Sequence, residues 1–301
     1  MNAIDTFEDM RSRLTGLAYR LLGSYADAED AVQETYLKWN AADRSAIETP
    51  AAWLTTVCTR LCLDTLKSAR RSRTDYVGTW LPEPVATDDQ VLPDDRLALA
   101  DSLSMAFLVV LERLAPKERA AYLLHEIFDM PYADLAGLLD ISETACRKLV
   151  SRARHNVGKT HARHVTPSDV QERFLKAFKS AVETGSADTL AALLSEDVQL
   201  HADGGGVVPA IGRVLSGPDE VLGFATQGLR EFWRGFAWQP ADINGTRGYL
   251  MTDGGTVIAA VSFAFDRQGR TTDIFIMRNP DKLGTFVKPS ERGSNKAPWL
   301  M

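Results

Sequence analysis

Tyr132-Ala133-Asp134-Leu135-Ala136-Gly137-Leu138-Leu139, then Asp140-Ile141-Ser142, then Glu143 through Val157, form the stretch that decides the fold. The first eight residues space Leu135, Leu138 and Leu139 as the apolar side of a short helix. Asp140-Ile141-Ser142 reads as a tight turn. Glu143 to Val157 reads as a second helix, carrying Arg147, Lys148, Arg152 and Arg154. Such a helix-turn-helix can lay its second helix in a DNA major groove. Glu143, Arg147, Ser151 and Arg154 share one face of it. Ser142 or Glu143 would read a base edge, Arg147 and Lys148 bases or phosphates, and Arg152 and Arg154 would hold backbone or sit in water.

Upstream, Leu114-Ala115-Pro116-Lys117-Glu118-Arg119 opens a further helix, with Pro116 in the first turn that proline tolerates. Its apolar stripe is Leu123, Leu124, Ile127 and Phe128. The whole chain has 301 residues, 45% hydrophobic and 25% charged, which suits two or three globular domains. The formal charge of −6 argues against a chain coated in basic surface. Local charge nevertheless alternates: basic across 60–73, acidic across 75–96, basic again across 143–163. Each run can be a solvated face, and together they also fit a grip on DNA at two separated places. Met1 to Met10 is polar and acidic, and no apolar run approaches the ~18 residues of a membrane span, so a cytoplasmic location is expected. Three cysteines, Cys58, Cys62 and Cys146, make no disulfide framework and read as small core residues in a reducing compartment.

Residues 7 to 73 carry only helix signals: Leu14, Leu17, Ala18, Leu21 and Leu22 recur at helical spacing, and Gly23-Ser24 breaks the run. A second helix begins near Asp27. It sets Asp27, Asp30, Gln33 and Glu34 on one side and Ala28, Val32, Thr35 and Trp39 on the other. The polar stripe reads as a solvated face or as an interface. Pro50 opens a third helix through Trp53, Leu54, Val57, Leu61 and Leu66, with Arg60, Lys67, Arg70 and Arg71 along it. Trp53 can be plain core, or an aromatic that stacks on separated bases while those cations hold backbone.

A linker follows with Trp80-Leu81-Pro82-Glu83-Pro84, whose two prolines favour stiff, extended backbone. It either offers Trp80 and Leu81 to a partner groove or anchors a buried turn. The third segment changes character. Amphipathic helix 170–182 and a short helix 188–194 lead into strands at 198–202, 248–251, 257–265 and 272–277, the pattern of an α+β domain. Asp203-Gly204-Gly205-Gly206 follows its first strand, and Asn279-Pro280-Asp281-Lys282-Leu283 closes the last.

These motifs in this order resemble the extracytoplasmic-function (ECF) sigma factors of the sigma-70 family. The resemblance, over roughly residues 7 to 284, is to the subgroup with a fused SnoaL-like domain. The fold it implies is multidomain: two all-α sigma domains, the second a helix-turn-helix, followed by an α+β NTF2-like, SnoaL-like cone-shaped barrel. It implies sigma region 2 at 5–73, an acidic linker at 74–101, and sigma region 4 at 102–160. A SnoaL-like regulatory domain at 168–284 and a mobile tail at 285–301 would follow. Asp27, Asp30, Gln33 and Glu34 would bind core RNA polymerase at the beta-prime clamp helices, with the beta flap a second contact. Trp53, Arg60, Lys67, Arg70 and Arg71 would serve the downstream promoter element, where the loop 40–49 pockets an unstacked base. Promoter duplex and its opened single strand are the implied nucleic acids. Ser142, Glu143, Arg147, Lys148, Ser151, Arg152 and Arg154 would meet the upstream element. Two residues depart from the pattern, Arg60 where asparagine is frequent and Asp140 where glycine is common. The linker could thread toward the polymerase active-site cleft. Regulation in cis would run through Trp80, Leu81, Pro82, Glu83, Pro84, Asp203, Gly204, Gly205, Gly206, Asn279, Pro280, Asp281, Lys282 and Leu283.

No catalytic group, metal or cofactor is expected, and the chain is read as no enzyme. The rival reading is a DNA-binding regulator fused to a SnoaL-like pocket enzyme or ligand sensor. For it, His201 and Asp203 would share a strand face as an acid–base pair, with Asp253 and Asp273 as further polar groups. A small apolar ligand would sit among Phe174, Phe178, Phe224, Trp233, Phe236 and Phe263.

Overall fold

The computed structural model describes residues 3–74, 76–87, 103–158 and 166–286. They divide into two compact units, one from 1–75 and 89–163, the other from 76–88 and 164–301.

The first unit is all helix: α1 (Ala3–Leu22), α2 (Tyr25–Ala41), α3 (Pro50–Thr74), α4 (Met105–Glu112), α5 (Pro116–Glu126), α6 (Tyr132–Leu139) and α7 (Glu143–Gly158). Gly23 ends α1 with φ +68, and the Ser24 side chain caps α2 by accepting from the Asp27 backbone N–H at 3.2 Å. The inward side of α2 is Ala28, Ala31, Val32, Thr35 and Trp39, all buried. Burying large apolar side chains such as Trp39 contributes about 1.5–3 kcal/mol each. All three cysteines are buried free thiols, as the sequence expects. Asp140 takes the left-handed conformation, φ 52 and ψ 57, at the end of α6.

The two halves of this unit are joined. Arg119 of α5, 2% exposed, donates to the Leu21 carbonyl at the end of α1 at 2.5 Å and to Glu112 at 2.6 Å. Arg13 of α1 donates to the Phe128 carbonyl at 3.2 Å.

The second unit contains α8 (Ser168–Thr184), α9 (Asp188–Ala191), β1 (Leu194–Asp203), β2 (Leu215–Ser216), α10 (Pro218–Gly223), α11 (Arg230–Phe232), β3 (Ala237–Ile243), β4 (Thr246–Asp253), β5 (Thr256–Phe265) and β6 (Thr271–Met277). The strands form one sheet in the order β2-β1-β6-β5-β4-β3, with β1 and β6 parallel and the other neighbours antiparallel. This is the α+β sheet domain implied by the SnoaL-like resemblance. Phe174 and Phe178 of α8 pack with Leu200 and Ala202 of β1, Val261 and Phe263 of β5, and Ile274 and Ile276 of β6. Because strand residues alternate between faces, His201 and Asp203 lie on the other face, away from this aromatic core.

Two expectations change here. The short helix ends at Ala191, since Leu194 already belongs to β1 and pairs with Thr271. The tail expected to be mobile from 285 begins with structure: Gly284–Phe286 is a 3₁₀ turn, and Thr285 Oγ1 donates to the Pro84 carbonyl at 2.7 Å. The tail from 287 onward lies outside the described residues.

Candidate functional site

Four groups of residues came from the sequence, and the structure treats them differently. On α2, Asp27, Asp30, Gln33 and Glu34 are all exposed, opposite the buried side. Glu34 pairs with Lys38 at 3.2 Å in an exposed i,i+4 contact, a weak tie that a docking partner can replace. One turn beyond Gln33 and Glu34 stands Leu37, 55% exposed. Sequence reasoning passed over it, since a single surface leucine carries no signal until its surroundings are known.

Trp53 is partly packed and partly open. Its ring meets buried Trp39 at 5.6 Å between centroids, and the half-buried remainder lines an open hollow of about 570 Å³. Ala42, Asp43, Ala46, Ile47, Glu48 and Thr49 complete the lining. Asp43 caps the 3₁₀ turn Arg44–Ala46 through the Ser45 backbone N–H (3.1 Å) and hydroxyl (2.6 Å), which stiffens the wall. A hollow of that size with an aromatic wall can hold a planar base. Along α3, Arg60 is exposed, while Lys67 is exposed and paired with Asp64 at 2.7 Å. The side chains of Arg70 and Arg71 lie outside the described residues.

On α7, Cys146, Val150, Ala153 and Val157 face inward. Ser142, Glu143, Arg147, Lys148, Ser151, Arg152 and Arg154 are all exposed. Ser142 caps α7 through the Ala145 backbone N–H at 3.2 Å. The cations are less free than the sequence suggests. Arg147 pairs with Glu143 at 2.8 Å, Arg152 with the mostly buried Glu118 at 3.4 Å, and Arg154 with Glu126 at 2.7 Å. Lys148 has no ion pair among the described residues. Lys117 fixes the turn by donating to the Leu139 carbonyl at 3.0 Å.

The fourth group comes together most completely, and its centre is Asp203. Its carboxylate is wholly buried and accepts from the Tyr76 hydroxyl (2.6 Å) and the backbone N–H groups of Leu81 and Gly205 (each 2.9 Å). It also accepts from the Lys282 ammonium at 2.8 Å. Lys282 donates to the Leu81 carbonyl at 2.7 Å as well, and lies over the rings of Trp80 (4.2 Å) and Tyr76 (4.9 Å). Asn279 Nδ2 donates to the Tyr76 hydroxyl at 3.0 Å, while its Oδ1 caps the turn at Asp281, next to Pro280.

The glycines now have reasons. A Cβ at Gly204 would collide with the Val208 carbonyl oxygen and the Ala210 side chain. Gly205, at φ +65, lies so near Asn279 that a Cβ would stand 2.5 Å from its amide. Gly206, at φ +71, leaves room for Val77. Leu81, Pro82, Glu83, Pro84 and Val85 are buried, as is Leu283. Val85 and Asn244 exchange hydrogen bonds, and Ala86 bridges to Ile243 at the β3 edge. Burial, then the Asp203 hydrogen bond, push the Tyr76 hydroxyl above its ordinary pKa.

The described part of the linker is docked on the α+β unit; its acidic continuation from Asp88 lies outside the described residues. One expectation is corrected by this arrangement. His201 and Asp203 do share a strand face, but they form no acid–base pair opening on the aromatic interior. Asp203 is consumed by the linker, and His201 is buried, stacked on Phe275 (5.2 Å between centroids) and 3.3 Å from Asp273. Asp253 is exposed at the end of β4. In the interior, Phe263 meets Phe174 at 4.9 Å and Phe178 at 5.3 Å, and Trp238 meets Trp233 at 5.4 Å. Phe224 and Phe236 are partly buried against that core.

Comparison with known proteins gives a consistent picture. Residues 6–72 match the model of Sigma-70 region 2, and residues 104–156 match that of Sigma-70, region 4. The chain is 39% identical over 290 residues to the ECF RNA polymerase sigma factor SigJ of Mycobacterium tuberculosis, covering 93% of each. It is 37% identical over 212 residues to the probable ECF RNA polymerase sigma factor SigI of the same species, covering 69% of this chain and 72% of that one. The crystal structure of M. tuberculosis SigJ superposes with a TM-score of 0.73 at 36% identity, covering 94% of this chain and 98% of the other.

Proposed function

The chain belongs to the ECF RNA polymerase sigma factors, transcription initiation factors that bind core RNA polymerase and promoter DNA, and on that footing we propose how its parts divide the work. The unit of α1 to α3 acts as sigma region 2, and α4 to α7 as sigma region 4. The exposed acceptor stripe Asp27, Asp30, Gln33 and Glu34 docks the clamp helices of the beta-prime subunit. The hollow beside Trp53 takes a base from the opened downstream element, with Arg60, Lys67, Arg70 and Arg71 along the backbone. The outward face of α7 reads the upstream element, and its helical unit meets the beta flap. The stripe carries this reading, because four acceptors stand clear of the core on a helix whose other side is fully committed to packing. Charge reversal at Asp27 and Asp30 should abolish retention of core polymerase by the full chain. Unchanged retention, with helix content intact, would refute the assignment.

The α+β unit regulates these parts in cis by holding the linker at Asp203. While Tyr76, Leu81 and Lys282 are engaged, the linker is withheld from polymerase, and its capture by polymerase must break that set. Support comes from the three motifs meeting at a single buried carboxylate. Deleting the chain beyond Leu283 should change transcription modestly, and deleting the whole α+β unit should change it strongly. Equal activity in both variants and the full chain would refute regulation in cis. The site of action is the cytoplasm. An apolar ligand bearing one acceptor is the second reading for the aromatic interior, since Trp233 Nε1 is buried without an acceptor among the described residues.

A further inference from the structure

Tyr132, the first residue of α6, is not among the residues that the sequence assigns to DNA contact, yet the structure joins it to one of them. The Arg147 guanidinium lies over the Tyr132 ring, 4.5 Å from its centroid. The His125 ring lies 4.0 Å from the same centroid at an interplanar angle of 31°. The phenol ring therefore touches both α5, through His125, and α7, through Arg147. His125 is itself held, with Nδ1 2.9 Å from the Met130 carbonyl. Glu143 grips Arg147 from its own helix at 2.8 Å. The Tyr132 ring and Glu143 thus both bear on the Arg147 side chain, which would otherwise sample many rotamers in water.

We propose that Tyr132 is a positioning residue for promoter reading: it holds the Arg147 guanidinium in the orientation that meets a base edge. The proposal rests on the reading of Arg147 as a DNA contact. Arginine recognises guanine through two parallel donors, so its value depends on the plane of the guanidinium as well as its charge. Stacking on an aromatic ring fixes that plane before DNA arrives, which lowers the ordering cost of binding. A cation at the same place without the ring would still attract phosphate, but would discriminate less between bases.

The test uses holoenzyme assembled from the full chain and core RNA polymerase, on a duplex library randomised across the upstream element. Arg147→Ala should flatten the base preference at the positions that this arginine reads. Tyr132→Leu should weaken preference at those same positions about two- to fivefold, the range of an exposed cation–π contact. It should leave binding to unrelated duplex unchanged, and Tyr132→Phe should keep the wild-type preference. In the Arg147→Ala background, Tyr132→Leu should have no further effect on preference. If Arg147→Ala leaves every preference intact, the DNA-contact reading falls. If Arg147→Ala flattens preference and Tyr132→Leu does not, or Tyr132→Leu adds to it, positioning alone is overturned. Since Tyr132→Leu can loosen α6, a second measurement needs no folding-sensitive variant. The Arg147 Nε–H signal of the wild-type full chain, assigned with Arg147→Lys, should show a ring-current shift. Its absence would also overturn the proposal.

Discussion

The Lys282 ammonium lies 2.8 Å from the Asp203 carboxylate, and the Asp203 side chain is wholly buried. Removing one partner of a buried pair leaves an uncompensated charge, which costs about 3–5 kcal/mol. Lys282→Met should therefore destabilise the α+β unit by about that amount in denaturant unfolding. Amide exchange at Leu81 and Gly205, which donate to the same carboxylate, should accelerate. Adding Asp203→Asn should recover part of the loss, because the stranded charge is then gone. No recovery would mean that Lys282 matters through packing on Trp80 and Tyr76.

Tyr76 makes the linker contact sensitive to alkali. Burial and the bond to Asp203 raise its hydroxyl above the ordinary value of 10, so the folded state binds that proton more tightly than the unfolded one. The corresponding stability is fully present below pH 10 and declines as pH rises beyond it. In a phenolate absorbance titration, wild type minus Tyr76→Phe should show one tyrosine ionising above pH 10, together with linker release. A difference spectrum that titrates at pH 10 without shift would contradict a docked hydroxyl.

Trp53 should matter to promoter opening more than to duplex binding. Base–aromatic stacking is worth about 1–3 kcal/mol, so Trp53→Ala should slow open-complex formation about 5- to 140-fold. Trp53→Phe should lose less. A fluorescent base analogue in the downstream element reports separation, and duplex retention by the same holoenzyme is the control. Opening at the wild-type rate would reduce Trp53 to a packing partner of Trp39.

Asp140 tests the turn. It is exposed and left-handed, so Asp140→Gly removes steric cost without removing a buried contact. Thermal unfolding should show Asp140→Gly within about 1 kcal/mol of wild type, on the stabilised side. Asp140→Val should lose about 1–2 kcal/mol. Loss of stability with glycine would point to a hydrogen-bonding role for the carboxylate.

Some of this architecture was legible because its signals are local. The α2 stripe is a periodic pattern over thirteen residues, from Asp27 to Trp39, and needs no distant partner to be read. The turn at Asp140 was legible from the break between two apolar patterns, and its left-handed backbone is one that Asp tolerates. Strand β3 escaped notice because Pro240 interrupts Ala237–Ile243, and proline is tolerated there only because β3 lies at the edge of the sheet. Tyr76 escaped because its partner Asp203 is 127 residues away. His201 and Asp203 misled, since alternation along a strand says that two residues share a face but not which face is covered.

By itself the sequence determined most of the element types, the outward and inward sides of α2 and of the helix-turn-helix, and the order of the motifs that mark an ECF sigma factor. These depend on periodicity and backbone preference, which act within a few residues. Only the tertiary structure decided that the Trp80, Asp203 and Asn279 motifs are one contact set. Only it decided that Trp53 is both wall and core, and that Tyr132 stands against Arg147. Those outcomes depend on which buried charges and rings find partners across long stretches of chain, and such pairings exist only once the fold has closed around them.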